Sequence, residues 1–177
     1  MKAAAVFLDR DGTLIEDPGY LNDPARVHVL PGVGAALARL RSAGFRLIVV
    51  TNQSGIARGL IRPEQYEAVA ARTAELLAQA GAPLDAQYHC PHLPEISGPC
   101  ECRKPGLLLF RQAIQEWDLD PARSWWIGDN LRDVSPAVQF GGRGILVSPD
   151  QSAGEPGGGL STAPNLEAAV RQILGKE

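Results

Sequence analysis

The chain has 177 residues, 45% of them apolar and 21% charged, with a formal net charge of -3. That length suits one α/β domain with a sizeable core and is short for two, so residues 1–177 are expected to form a single domain. The acidic balance removes the basic face that nucleic-acid binding needs, and no apolar run approaches the roughly 18 residues of a membrane span. No cleavage-type site follows Met1-Lys2, so the expected location is cytoplasmic.

Ala4 to Leu8 is an unbroken apolar run that ends in Asp9-Arg10-Asp11-Gly12-Thr13. Such a run reads as a strand buried on both faces, as inside a parallel sheet. Ligand sites in open α/β sheets lie beyond the carboxyl ends of the strands, where Asp9 and Asp11 would emerge. Two close carboxylates repel, so a divalent cation or a shared proton has to compensate, and hard oxygen donors suit Mg²⁺. On this pair alone, a charged turn after a core strand is an equally good reading.

Asp17-Pro18-Gly19-Tyr20 and Asn22-Asp23-Pro24 are turn formers and predict a loop over the carboxylates. Pro31-Gly32-Val33 opens a helix that Gly44 closes. A second buried strand starts at Arg46 and ends at Thr51-Asn52-Gln53-Ser54-Gly55. Pro63 begins a long helix to about Ala80, and Gly81 stops it. Ala86-Gln87-Tyr88-His89 is a short third strand, and Pro105 to Trp117 reads as a helix. Ser124-Trp125-Trp126-Ile127 is the fourth strand, ending at Gly128-Asp129. Leu131 to Phe140 reads as a helix that Pro136 confines or kinks, followed by a fifth strand from Gly144 to Val147. Residues 154–159 hold four glycines and a proline and predict a mobile surface loop, after which Asn165 caps a last helix to Leu174. Strands alternating with helices imply an α/β fold, a Rossmann-like doubly wound parallel sheet with right-handed crossovers.

Between the third strand and the next helix, Cys90-Pro91-His92 and Cys100-Glu101-Cys102 place three cysteines and a histidine within thirteen residues. Three thiolates and one imidazole make a closed tetrahedral zinc set of the structural kind. An odd cysteine count argues against a disulfide framework, and the C-x-C pair lacks the helix context of a redox site. Zinc would staple a loop (about 90–102) too poor in apolar residues to order itself, and so aim Arg103 and Lys104. His28 and His89 have no partner pattern and read as structural.

Asp9-Arg10-Asp11-Gly12-Thr13 resembles the first motif of the haloacid-dehalogenase (HAD) phosphohydrolases, and Thr51, Lys104 and Asp129 match the other three in order. Asp17-Pro18-Gly19-Tyr20, the run from Thr51 to Gly59, the cysteine loop and Cys102-Arg103-Lys104-Pro105 resemble one branch, the heptose-bisphosphate and histidinol phosphatases. The resemblance implies a Mg²⁺-dependent phosphatase working through an aspartyl-phosphate. Asp9 would be nucleophile and Asp11 general acid and base, with Thr51 and Lys104 holding the phosphate. Mg²⁺ would sit on the Asp9 and Asp129 carboxylates and the Asp11 carbonyl. For Asp133 the readings stay open: a metal site reached through water, a partner for Lys104, or an exposed acid at a helix start. Intervals too short for an inserted domain imply a capless member.

By the same likeness the substrate is a sugar bisphosphate losing its 7-phosphate, with histidinol phosphate as the alternative and a non-enzymatic zinc-stapled module as the outsider. Asp17, Tyr20, Asn52, Gln53, Ser54 and Asn130 would contact it, while Arg103 and Arg58 would bind the phosphate that stays on. The partner is then a small phosphorylated molecule, met by a monomer. Asn130 stands where the heptose enzymes usually carry a lysine, and Lys104-Pro105-Gly106 is a shortened form of their motif. The zinc loop is compact as well. These departures touch substrate recognition rather than phosphoryl transfer.

Overall fold

A computed structural model describes residues 1–150 and 157–175. Six strands lie in one sheet: β1 (Ala5–Leu8), β2 (Arg46–Asn52), β3 (Ala86–Cys90), β4 (Trp125–Gly128), β5 (Arg143–Val147) and β6 (Leu160–Ala163). Their order is β3-β2-β1-β4-β5-β6, and every neighbouring pair is parallel. The doubly wound parallel sheet expected from the alternation of elements is therefore what forms.

Successive side chains on a strand point to opposite faces, so a strand apolar at every position needs a core on each side. Val6, Leu8, Leu47, Val49 and Ile127 enter one core, with the helices α1 (Val33–Ser42), α3 (Pro63–Gln79) and α8 (Leu166–Leu174). Ala5, Phe7, Ile48, Val50 and Trp126 enter the other, against α5 (Leu108–Glu116) and α7 (Pro136–Gln139). This second core is aromatic at its centre: the Phe7 ring lies 4.6 Å from Trp126 and 5.4 Å from Phe110, and Trp126 stacks on Phe140 at 5.6 Å. Pairs of this kind contribute about 0.5–1.5 kcal/mol each beyond the area they bury.

Two short helices, α2 (Ser54–Ala57) and α4 (Pro94–Ser97), were not expected, and three other elements differ from expectation. β6 is a strand that the sequence reading lacked; it pairs with β5 from Gly144↔Leu160 to Val147↔Ala163. The stretch 131–140 is two short helices, α6 (Leu131–Val134) and α7, because Pro136 has no N–H to continue the ladder and its ring crowds the preceding turn. α5 starts three residues later than expected because Gly106 N–H donates to Arg103 O at 2.7 Å in a tight turn. Of the predicted mobile loop at 154–159, residues 154–156 lie outside the described residues, and Gly157 bridges to Leu160.

Only a 3₁₀ turn (Pro24–Arg26) and α1 separate β1 from β2, and only α2 (Ser54–Ala57) and α3 separate β2 from β3. No domain is inserted at either crossover, so the sheet's carboxyl edge is left open. Strand order reverses between β1 and β4, the position at which open α/β sheets bind their ligands. Asp9 follows β1 and Asp129 follows β4. Among the described residues no helix is long and apolar enough to cross a membrane.

Candidate active site

Asp9 is held at the end of β1 by its backbone N–H, which donates to Ile127 O of β4 at 3.0 Å. Lys104 is 3% exposed, and its ammonium spends all three donors: on Val50 O at 2.6 Å, Asp9 Oδ1 at 2.8 Å and Asp133 Oδ1 at 2.8 Å. Its backbone is clamped by Asn52, whose Oδ1 accepts from Lys104 N at 2.9 Å and whose Nδ2 donates to Lys104 O at 3.2 Å. Asp133 is buried, pairs with Lys104, and accepts from Asn130 N at 3.0 Å as the first-turn acid of α6. Asp133 thus pairs with Lys104 and stands in the first turn of α6, but it is buried rather than the exposed acid that a solvated helix start would carry.

Asp9, Asp129 and Asp133 bring one carboxylate oxygen each within 4.8 Å of one another. Glycine permits that crowding. A Cβ at Gly12 (φ +82°) would lie 2.4 Å from Asp129 Oδ2, and one at Gly128 would lie 2.3 Å from Asp133 Cβ. Burial pushes the Asp9 carboxyl up despite Lys104. Burial and the neighbouring Asp9 and Asp133 charges push Asp129 up to about 6. Burial alone would pull Lys104 down, but the two carboxylates outweigh it and hold its pKa above the usual lysine value. A donor set of hard, crowded carboxylate oxygens is one that a divalent cation relieves.

Asp11 sits two residues on. Arg10, 1% exposed, grips it with Nε to Oδ1 at 3.2 Å and Nη2 to Oδ2 at 3.1 Å. Gln53 Nε2 donates to Asp11 Oδ2 at 2.7 Å and to Thr51 Oγ1 at 2.9 Å. Burial raises the Asp11 pKa against the pull of Arg10. Arg10 in turn lies 5.6 Å above the Tyr66 ring, which stacks on His89 at 3.9 Å. The sequence reading gave Arg10 no role. Its burial follows from the tertiary contact with Tyr66, which no neighbouring residue in the sequence marks.

These groups open into a cleft of about 400 Å³. Its wall includes Asp9, Asp11, Thr51 and Asp129 together with the predicted contacts Asp17, Tyr20, Asn52, Gln53, Ser54 and Asn130. Asn130 has a second task, since its side chain accepts from Arg132 N at 3.2 Å and caps α6. Arg58 and Arg103 are not on the wall: Arg58 lies 5.9 Å from the Tyr20 ring and Arg103 Nη1 donates to His92 O at 3.4 Å. Arg132 lines the cleft and was not predicted.

Beneath Lys104, the donor atoms of Cys90, His92, Cys100 and Cys102 lie within 4.8 Å of one another. Separations include Cys90 Sγ–Cys100 Sγ at 3.7 Å, His92 Nδ1–Cys102 Sγ at 3.1 Å and Cys102 Sγ–Cys90 Sγ at 2.9 Å. Tetrahedral zinc with sulfur at about 2.3 Å sets ligand edges near about 3.7 Å, so the quartet fits such an ion after small side-chain adjustments. Gln53 N donates to Cys90 O at 2.8 Å and Leu108 N to Glu101 O at 3.2 Å, which ties the loop to the site on one side and to α5 on the other.

Residues 101–166 match the family model described as HAD-hydrolase-like. The D-glycero-beta-D-manno-heptose-1,7-bisphosphate 7-phosphatase of Haemophilus ducreyi is 43% identical over 146 residues, covering 80% of each chain. The protein of that name from Escherichia coli K12 is 40% identical over 139 residues, 76% of this chain and 73% of its own. Among solved structures, the D,D-heptose 1,7-bisphosphate phosphatase of B. bronchiseptica, complexed with magnesium and phosphate, superposes with a TM-score of 0.85 at 34% identity, covering 97% of this chain and 98% of the other. With identity at this level over most of both sequences, the chain belongs to the heptose-1,7-bisphosphate 7-phosphatase family of HAD-like hydrolases.

Proposed function

We propose that this phosphatase removes the 7-phosphate of D-glycero-D-manno-heptose 1,7-bisphosphate through a phosphorylated Asp9, acting as one domain and as a monomer. The observation that carries the reading is Lys104 Nζ, 2.8 Å from both Asp9 and Asp133, beside Asp129 at the point where strand order reverses. Asp9 attacks phosphorus, and its bond to phosphorus forms as the bond to the sugar oxygen breaks. Asp11 gives its proton to that oxygen, then takes one from the water that attacks the same phosphorus and frees Asp9. Thr51 and Lys104 hold equatorial oxygens, Lys104 by turning a donor from a carboxylate to the phosphate, and Arg10 and Gln53 keep Asp11 turned into the cleft. The Asp9 and Asp129 carboxylates and the Asp11 carbonyl would hold Mg²⁺, which when bound would supply the charge that lets an anionic nucleophile meet an anionic phosphate. Asp17, Tyr20, Asn52, Gln53, Ser54 and Asn130 meet the sugar. Cys90, His92, Cys100 and Cys102 would hold zinc, which would take no part in the chemistry and would brace the loop that leads into Lys104.

Phosphate release measured across both anomers of the bisphosphate, histidinol phosphate and p-nitrophenyl phosphate tests this. The heptose bisphosphate should lead by at least about tenfold in kcat/KM. Preference for histidinol phosphate would overturn the substrate.

Two further outcomes are expected. The folded pKa of Asp129, about 6, lies above its unfolded value of 3.8, so its ionised form weighs against folding above that range and the burden fades as pH falls through it. Mg²⁺ should therefore raise the melting temperature more at about pH 7.5 than at about pH 5, as scanning calorimetry would show. Cys100→Ser should reduce bound zinc, measured by atomic emission, and lower the melting temperature by several degrees. It should raise KM while the Mg²⁺ concentration for half-maximal rate stays within about twofold.

A further inference from the structure

The five carboxylates of Asp9, Asp11, Asp17, Asp129 and Asp133 line the cleft, and among the described residues Arg132 is the only cationic one on its wall. The two buried cations close by are already engaged, Lys104 between Asp9 and Asp133 and Arg10 on Asp11. Arg132 differs from both. Its backbone is fixed, because Arg132 N donates to Asn130 Oδ1 and Asn130 N to Asp133 Oδ2 in the first turn of α6. Its guanidinium is exposed and makes no hydrogen bond or ion pair among the described residues. A planar five-donor fork on a pinned turn, facing a cleft of acids whose own cations are spent, is placed to take an external anion.

A sugar with two phosphates brings about two negative charges on each at neutral pH into this acidic cleft. The phosphate over Asp9 can take over a donor that Lys104 gives to a carboxylate, whereas the other needs a cation away from the nucleophile. We propose that Arg132 binds the phosphate that the reaction leaves on the sugar, and so makes the site selective for doubly phosphorylated substrates. This rests on the bisphosphate reading above. It assigns to Arg132 a task that Arg58, over Tyr20, and Arg103, on the zinc-loop carbonyl of His92, are less well placed to perform.

The test compares the heptose bisphosphate with p-nitrophenyl phosphate, which has no second phosphate, in the full-length wild type, Arg132→Ala and Arg132→Lys. Arg132→Ala should raise KM for the bisphosphate by roughly ten- to a hundredfold, the loss of one charge-assisted contact, while kcat falls by less than about threefold. KM for p-nitrophenyl phosphate should rise by no more than about twofold, and Arg132→Lys should recover most of the bisphosphate affinity. Equal KM changes for both substrates, or none for either, would overturn the assignment. A wild type that does not favour the bisphosphate would overturn the substrate reading and this assignment with it, and would be seen before any variant is made.

Discussion

Asp9→Asn should lower turnover by at least about a thousandfold while the melting temperature stays within a few degrees of the parent or rises. The amide keeps the size of the side chain and can still accept from Lys104 Nζ, now 2.8 Å from Asp9 Oδ1. What it loses is the anionic oxygen that attacks phosphorus. Stability should not suffer, since burial and the Asp133 charge already hold the Asp9 pKa up, meaning that its ionised form weighs against the folded state at neutral pH. Steady-state phosphate release and a thermal melt on the same sample check both halves. Near-normal turnover would remove covalent catalysis by residue 9 from consideration.

Lys104→Met should damage both properties. Methionine fills the channel but leaves Asp9 and Asp133 facing each other without the shared ammonium, and leaves Val50 O without its donor. Removing one partner from a buried ion pair costs about 3–5 kcal/mol, which for a chain of this size is roughly a 10 °C fall in melting temperature. The pH dependence has a definite sign. The folded pKa of Lys104 lies above its unfolded value of 10.5, so its contribution is complete below that pH and is lost only in strong alkali. The gap between wild type and variant should therefore persist through neutral pH and narrow in acid, as Asp9 takes up a proton. Adding Asp133→Asn to the variant should restore part of the stability and none of the turnover, and the double-mutant cycle measures the coupling.

Much of this arrangement was legible before any coordinates. Asp9, Thr51, Lys104 and Asp129 are each fixed by strand ends or by a loop tied to one, and strand ends are the part of an α/β sequence that periodicity marks most clearly. The cysteine quartet was legible because its four donors fall in one short stretch. What escaped was decided by tertiary contact. Leu160-Ser161-Thr162-Ala163 has only half-apolar character and becomes β6 because Gly144 to Val147 offers it an edge. Asn130 is an exception, read as a substrate contact although its second role as the cap of α6 is local and set by its place just before Leu131. Arg10 and Arg132 carry the same charge at opposite extremes of exposure. No local pattern separates an arginine swallowed by the fold around Tyr66 from one left free on the cleft wall.

The most direct test of covalent catalysis is a single turnover with excess enzyme, quenched in acid within milliseconds and digested for peptide mass mapping. A phosphoryl group should be found on the peptide carrying Asp9, appearing before free phosphate and vanishing as phosphate accumulates, and absent in Asp9→Asn. Free phosphate rising with no phosphorylated peptide at any quench time, or a phosphoryl group on another residue, would contradict the account.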